Sequence, residues 1–465
     1  MTLHFNLKSM LLFVICLMFL HITTPHTFLV GTIAIISYLF LLYKKNNLNT
    51  CDAILSLSFI FNLYYVCGLS INVRQYDYFN FFMQAVYFVE NDFFLKNPIS
   101  YLNSVYYQPP LWSIITGLIT KIGILLGQTR EQGFDEARFI SLFSITATMI
   151  VMWRFINEFS YNKKLVLWIW GLFCFLPIHT IMSGLNNNDS FVYFLMMLII
   201  YQAYKWYNDN SILKALNIAF LLFLAGMTKF SGLMTLSYVA ILGLSILFNQ
   251  PNKFNAKIWI QFLIIAIGAT LGFAWGFFLL YFHFPIVPPP NENFYQIMTN
   301  YSIQERLFDF SNIGIIFADL KNNVIEPNVW LSLIKTSIFG EWSWNNIAFS
   351  TILYIENILL SIFITYSFFH LFKYKIGKDF GLNLAFVVFT IAIFISWASF
   401  WLKFPYFCST EFRYVVILVP ISYLWIANYL QQKNLPKWLN ITLASSVVLF
   451  ILSKTIVFVS TIQPF

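Results

Sequence analysis

The sequence predicts an all-α polytopic membrane protein, on the evidence of its composition, its long apolar runs and the spacing of its basic residues. Of the 465 residues, 59% are hydrophobic and only 10% are charged. Runs such as 191–204 are predominantly apolar on every side, which is typical of a membrane helix. A transmembrane β-barrel would instead alternate apolar and polar residues along each strand. We therefore expect a bundle of membrane helices.

A helix needs about 20 apolar residues to cross the hydrocarbon core, so we predict about 13 spans. The first follows Lys8 and has no small-residue cleavage site, so we interpret it as a retained helix and not as a signal peptide. A short turn around 226–232 separates two of the middle spans. In chain order, the predicted spans are 9–24, 28–43, 53–71, 137–156, 164–183, 190–207, 214–229, 231–248, 257–282, 348–372, 380–402, 413–430 and 438–459.

Lysine and arginine in the short loops predict the orientation of the spans. These residues occur at every second loop, which we assign to the cytoplasm. They are Lys8, Lys44, Lys45, Arg154, Lys163, Lys164, Lys205, Lys214, Lys253, Lys257, Lys373, Lys375, Lys378, Lys433 and Lys437.

Two long loops then lie on the outer side, at about 72–136 and 284–346. In the first, 78–94 has the pattern of an interfacial amphipathic helix, and 109–126 that of a re-entrant or surface helix with prolines at its start. The second has several prolines and is a candidate lid. Neither is long enough for a separate soluble domain, so we expect one membrane domain over 1–465.

Net charge and cysteine spacing exclude several other classes. The formal net charge is +8, but the basic residues are dispersed between apolar spans, so no nucleic-acid surface is predicted. The five cysteines include no CxxC pair, and most lie in apolar runs. We therefore expect neither a disulfide framework nor a zinc site.

Polar residues at the outer ends of several spans form the candidate site. Ionisable groups near a membrane interior usually face a cavity and serve function. The predicted topology brings these residues, which are far apart in sequence, to the same membrane face. They are Asp77, Asn186, Asn187, Asn188, Asp189, Lys229, Glu411 and Arg413.

Their chemistry suits sugar transfer from an anionic lipid. We assign Asp77 as the general base that activates an acceptor hydroxyl. Cations would hold the phosphate leaving group and neutralise its developing charge, a role we give to Arg413, Lys229 and Arg74. We assign Asp189 and Asn188 to binding of the acceptor or of a divalent metal; alternatively, Asp189 serves only as a helix N-cap. The residues assigned to the cavity lining are Tyr76, Tyr107, Gln108 and Glu411.

Five short motifs follow one another along the chain. They are Arg74-Gln75-Tyr76-Asp77, Tyr106-Tyr107-Gln108-Pro109-Pro110-Leu111, Ser183-Gly184-Leu185-Asn186-Asn187-Asn188-Asp189, Gly226-Met227-Thr228-Lys229 and Thr410-Glu411-Phe412-Arg413-Tyr414. In this order, they resemble the motifs of the GT-C glycosyltransferases of family 39, which include protein O-mannosyltransferases and lipid A aminoarabinose transferases. The resemblance covers about 70–430.

The resemblance implies an enzyme that takes a sugar from a polyprenyl phosphate at the outer face of the bacterial cytoplasmic membrane. The acceptor would be a lipid, a glycan or a protein. In the family, the acid of the first outer loop acts as the catalytic base, which corresponds to Asp77. Two features depart from the family pattern: Tyr76 and Tyr78 flank this acid where mannosyltransferases often have a second acid, and two spans precede the usual first one.

Two other functions remain as alternatives. A polysaccharide polymerase or ligase also has many spans, but its important residues, often arginines, are expected in later loops. A lipid-linked-glycan transporter would show inverted repeats and broken midplane helices. The sequence has no repeated halves, and its polar residues are predicted at one face, which favours the transferase.

We predict that Lys375 faces the cytoplasm and that Lys321 and Phe465 face outward. Reporter fusions at these positions, with one reporter active only inside and one only outside, test the orientation. A cytoplasmic signal at Lys321 would contradict it, because the second long loop and the site residues would then face opposite sides.

Overall fold

The computed structural model describes residues 3–68, 78–90, 109–159, 161–249, 256–283, 301–311, 328–339, 379–403 and 407–432, with single positions between 351 and 369 and between 441 and 455. The described residues form helices and turns, and no strand occurs among them. Much of the candidate lid and most of the spans predicted at 348–372 and 438–459 lie outside this part of the chain.

Seventeen α-helices follow one another in the described residues, with short 3₁₀ turns at Phe230–Met234, Phe407–Thr410 and Phe412–Tyr414. The α-helices are α1 Leu7–Thr23, α2 Thr27–Lys44, α3 Thr50–Gly68, α4 Tyr78–Glu90, α5 Leu111–Leu125, α6 Arg130–Asp135, α7 Arg138–Ile156, α8 Lys163–Cys174, α9 Pro177–Ser183, α10 Asp189–Asp209, α11 Ile212–Thr228, α12 Thr235–Asn249, α13 Ala256–His283, α14 Ile303–Phe308, α15 Val329–Phe339, α16 Phe380–Lys403 and α17 Leu418–Gln432.

Six helical stretches among the described residues are long and apolar enough to cross a membrane, and the bent pair of α8 and α9 would make a seventh. The chain is thus an integral membrane protein. The count of about 13 spans stays a prediction, because it includes segments outside the described residues and shorter or more polar helices. The six stretches are Thr27–Lys44, Thr50–Gly68, Arg130–Ile156, Phe230–Asn249, Ala256–Trp275 and Phe380–Lys403.

Helix α7 lies at the centre of the bundle. Of its residues, all but Ile140 and Arg154 are buried. Around it pack α1, α3, α9 and α10. A helix that is buried on every side has no amphipathic face, which is why apolar residues occur around its whole circumference.

Helices α11 and α13 cross at a set of small residues. Gly268 and Gly272 lie four residues apart on α13; on α11, Ala219 faces Gly268 and Gly226 faces Gly272. A Cβ atom at Gly226 would lie 2.8 Å from the backbone carbonyl carbon of Gly272. Small residues at this spacing let membrane helices approach closely. The crossing therefore fixes the C-terminal end of α11, from which Lys229 follows.

A buried ionic network joins α1 to the start of α7. His21 Nδ1 lies 3.0 Å from Glu136 Oε1, and Arg138 lies 3.0 Å from His21 Nε2. Arg138 also forms an ion pair with Asp135 at 2.9 Å. Because Nε2 of His21 accepts from Arg138, Nδ1 carries the proton and donates to Glu136. The N-terminal helix is thereby tied to the core of the bundle.

The predicted span at 164–183 is not one straight helix, because α8 and α9 meet at a bend of 47°. Pro177 begins α9 and has no backbone N–H, so it cannot donate to the carbonyl oxygen of Phe173. The imidazole of His179 replaces that bond, with Nδ1 2.8 Å from Phe173 O. Its other nitrogen, Nε2, lies 3.1 Å from the hydroxyl oxygen of Tyr193 on α10.

Serine side chains satisfy carbonyl groups at the C-terminal ends of α8 and α9 and just after α9. Ser58 donates to Cys174 O at 2.7 Å, Ser190 to Met182 O at 2.6 Å and Ser141 to Leu185 O at 2.6 Å. Irregular backbone at membrane depth is tolerated only where protein groups satisfy it. These bonds from α3, α7 and α10 therefore allow the chain to leave helical geometry inside the bundle.

The prediction that a helix starts at residue 413 is wrong. Residues 412–414 form a 3₁₀ turn, and α17 begins at Leu418. Pro420 cannot donate to the carbonyl of Val416, but it is tolerated in the first turn of a helix. The proline thus suits a helix that starts at 418, and it leaves Glu411 and Arg413 in irregular backbone before α17.

We expect His179→Phe to lower the free energy of unfolding by about 1–3 kcal/mol, the cost of an unsatisfied buried carbonyl group. His179→Asn keeps an N–H donor and should recover part of this loss. Thermal unfolding in detergent measures both, with His26→Phe at an exposed position as the control. Equal melting temperatures for His179→Phe and wild type would contradict the role of the imidazole.

Candidate functional site

Four charged side chains meet where α10 begins, α11 ends and the 3₁₀ turns precede α17. Lys229 Nζ forms an ion pair with Asp189 Oδ1. Arg413 Nε lies 3.6 Å from Asp189 Oδ2 and 2.6 Å from Glu411 Oε2. Two cations and two carboxylates from three separate parts of the chain thus form one contiguous cluster, which we call the charge cluster.

The charge cluster lies largely inside the protein. Asp189 is 5% exposed, Glu411 4% and Arg413 8%. Burial of an unpaired charge is strongly unfavourable, so the two carboxylates and the two cations compensate one another's charge. The aromatic ring of Tyr414 adds to this, since Lys229 Nζ lies 4.7 Å and Arg413 Cζ 5.4 Å from its centroid.

A hydrogen bond between backbone and side chain brings Asp189 to Lys229. Asn188 is the N-cap residue of α10, and its Nδ2 donates to the carbonyl oxygen of Thr228 at 3.0 Å. Thr228 is the last residue of α11, and Lys229 follows it in extended backbone. The amide of Asn188 therefore holds the start of one helix against the end of the other.

Helix α15 holds the segment that carries Glu411 and Arg413. The backbone N–H of Phe412 donates to Thr336 Oγ1 at 2.8 Å, and Ser332 Oγ lies 2.8 Å from Thr410 Oγ1. These two hydroxyl groups are one helical turn apart on α15. They anchor Thr410 and Phe412, the residues on either side of Glu411, which explains how an irregular segment presents charged side chains at a defined place.

Lys335 is a charged residue of this region that the sequence analysis did not single out. It lies on α15 beside Thr336, and its side chain is almost fully buried, at 1% exposure. The signal was available, because Lys335 is the one ionisable residue in the apolar stretch of Val329–Phe339. Its position within the second long loop hides this signal, because long loops translocate largely regardless of charge and their basic residues say little about topology.

The structure brings Asn188, Asp189, Lys229, Glu411 and Arg413 together. Asn186 and Asn187, which directly precede Asn188, are also described. The remaining predicted site residues lie outside the residues that the structure describes, and their roles stay predictions. These are Arg74, Tyr76, Asp77, Tyr107 and Gln108.

Two helices of the first outer loop nevertheless reach the neighbourhood of the charge cluster. Gln84 on α4 accepts a 2.6 Å hydrogen bond from Ser113 on α5. On α5, Trp112 packs against Phe191, two residues after Asp189, with ring centroids 6.2 Å apart. Helix α4, which Asp77 directly precedes in sequence, is thus linked through α5 to the start of α10.

No group of three or more His, Cys, Asp or Glu side chains in the described part of the chain has the arrangement of a metal site. Within the charge cluster, both oxygens of Asp189 face cations. The expectation of a divalent metal at Asp189 and Asn188 stays a prediction.

Comparison with known proteins identifies the fold. No protein-family model matches the chain, and no curated protein matches it. Among solved structures, the oligosaccharyltransferase AglB from Archaeoglobus fulgidus, in complex with an inhibitory peptide and a dolichol-phosphate, matches with a TM-score of 0.50 and 12% identity. The match covers 89% of this chain and 56% of AglB, so the chain spans about half the length of that protein.

A second solved structure, ArnT from Cupriavidus metallidurans bound to undecaprenyl phosphate, matches with a TM-score of 0.49 and 12% identity over 88% of this chain and 76% of ArnT. The likeness to AglB shows that the chain has an all-α polytopic fold of the GT-C type, as the sequence predicted.

We predict that Asp189→Asn lowers the free energy of unfolding by on the order of 3–5 kcal/mol, because it leaves the ammonium group of Lys229, whose side chain is only 16% exposed, without its carboxylate. Adding Lys229→Met should restore part of the loss. Thermal unfolding in detergent of the two single variants and the double variant measures this coupling.

The matched control is the pair of Lys205 and Glu158, which are 2.6 Å apart but 32% and 25% exposed. The Glu158→Gln variant should change stability by at most about 1 kcal/mol. Strictly additive effects of Asp189→Asn and Lys229→Met would show that the two side chains do not stabilise one another.

Proposed function

We propose that the chain is a membrane glycosyltransferase. It moves a sugar from a polyprenyl-phosphate-linked donor to a lipid, glycan or protein acceptor, at the outer face of the cytoplasmic membrane. The observation that carries this proposal is the convergence of Lys229 and Arg413 in the buried charge cluster of a GT-C fold.

Lys229 and Arg413 have the chemistry that a phosphate leaving group requires. When the bond to the sugar breaks, negative charge builds up on the phosphate, and fixed cations in a site of low dielectric stabilise it. A guanidinium group offers a forked contact and an ammonium group a point charge. Because both cations are already fixed by Asp189 and Glu411, little rearrangement is needed to bind the donor.

Asp77 is the proposed general base. It would accept the proton of the acceptor hydroxyl as that hydroxyl attacks the sugar, while the phosphate leaves towards Lys229 and Arg413. Support comes from its place in the sequence directly before α4, since α4 is linked through α5 to Phe191 near the charge cluster. Asp189 then has a different role, because it holds both cations in place.

The solved structure of AglB contains a dolichol-phosphate, a lipid of the class that we assign to this site. The sugar, the acceptor and the type of glycosyl group remain open in the proposal.

We expect Asp77→Asn to reduce sugar transfer by ~10²–10⁴-fold, since an amide cannot act as a general base. The variant should insert and still bind the lipid donor, because the substitution keeps the size of the side chain and leaves the charge cluster intact. Turnover by purified protein with polyprenyl-phosphate sugars measures the effect, and Asp209→Asn, at the far end of α10, is the control. Near-normal transfer by Asp77→Asn would remove this residue as the base.

A further inference from the structure

Three consecutive asparagines precede Asp189, and two of them make hydrogen bonds that hold the fold together. Asn186 Nδ2 donates to the carbonyl oxygen of Phe134 at 3.0 Å, which ties the segment to α6. As described above, Asn188 Nδ2 donates to Thr228 O at the end of α11. In both cases the amide nitrogen is the atom that binds the neighbouring element.

Asn187 uses its amide differently. Its Oδ1 accepts a 3.1 Å hydrogen bond from the backbone N–H of Asp189, the pattern of an Asx turn. Its Nδ2 is buried and has no hydrogen-bond partner among the described residues, and the side chain as a whole is 0% exposed. A buried amide without a partner costs free energy, and such groups are rare unless they serve a purpose.

The backbone fixes which end of this amide is the donor. The N–H of Asp189 requires an acceptor, so the oxygen of Asn187 must face it, and a flipped amide would place two donors against each other. The NH₂ group is therefore the end that is left for a ligand.

The surroundings of Asn187 favour a negatively charged acceptor. The residue lies at the N-terminal end of α10, where the helix dipole is positive. Two residues later, Asp189 contacts Lys229 and Arg413, the cations that we assign to the donor phosphate. An oxygen of a phosphate group is the acceptor that suits both the helix end and the two cations.

We propose that Asn187 is a positioning residue whose Nδ2 donates a hydrogen bond to a phosphate oxygen of the lipid-linked donor. This inference rests on the proposed function. The Asx turn holds the amide of Asn187 in place before the ligand binds, so no conformational entropy of this side chain is lost on binding. The hydrogen bond from Nδ2 therefore adds a directional contact to the two charged contacts from Lys229 and Arg413.

The variant Asn187→Ser tests this role. Serine forms the same turn with the N–H of Asp189, although more weakly, but it has no amide donor. We expect the affinity for a polyprenyl monophosphate in detergent to fall on the order of tenfold, as for a lost hydrogen bond to a charged group, with a melting temperature close to that of wild type.

The chain offers a matched control in Asn162, whose Oδ1 accepts from the backbone N–H of Lys164 at 2.9 Å in the same type of turn, on an exposed surface. Asn162→Ser should keep wild-type affinity. Arg413→Ala removes a proposed phosphate contact and should bind the polyprenyl monophosphate weakly, so it serves as the reference for the loss of such a contact.

Wild-type affinity in Asn187→Ser, together with weak binding by Arg413→Ala, would overturn the role of Asn187 and leave the proposed function standing. If Arg413→Ala also binds as wild type does, or if wild type does not bind the probe, the proposed function fails as well. A loss that appears only with a sugar-carrying donor, and not with the bare polyprenyl monophosphate, would likewise overturn the contact to phosphate.

If Asn187→Ser does not fold, Asn187→Asp decides the question. It keeps the size and the acceptor of the turn, lacks the N–H donors and adds negative charge beside the phosphate. We expect weaker binding than in wild type, and wild-type affinity would overturn the proposal.

Discussion

The ion pair between Lys229 and Asp189 is the interaction on which the site depends. Each charge is stable in the interior only because the other lies against it, and Arg413 and Glu411 extend the compensation to a third part of the chain. The pair joins the start of α10 to the end of α11. The close crossing of α11 with α13 at Gly226 and Gly272 then gives that end a fixed place in the bundle.

The irregular backbone before Asp189 is the second requirement of this arrangement. Hydrogen bonds from His179 and from serines on neighbouring helices satisfy carbonyl groups at the break before Pro177 and at the end of α9. Without them, non-helical chain would be too costly inside a membrane protein. The break lets three asparagines and Asp189 enter the interior at the end of α9, where a continuous helix would have carried them past the charge cluster.

The sequence predicted the fold class and several helix bounds well, but not the irregular segments. The apolar run at 137–156 corresponds closely to α7, because charged residues mark its ends. The hydropathy pattern did not predict the break at Pro177 or the late start of α17. Hydropathy averaged over a span does not show where a proline lacks the backbone N–H that a continuous helix requires. The sequence also could not predict that Nδ2 of Asn188 has a hydrogen-bond acceptor and Nδ2 of Asn187 has none among the described residues, because this depends on which carbonyl groups lie nearby in space. Lys335 could have been predicted as a site candidate, because it is the one ionisable residue in the apolar stretch Val329–Phe339.

The central claim is that the charge cluster receives the phosphate of a lipid-linked sugar. An experimental structure of the protein with a polyprenyl phosphate bound tests it most directly. The account predicts phosphate oxygens at about 3 Å from Lys229 Nζ and from the Arg413 guanidinium group, a hydrogen-bonding distance. A lipid phosphate bound elsewhere in the protein, with no contact to Lys229 or Arg413, would contradict it.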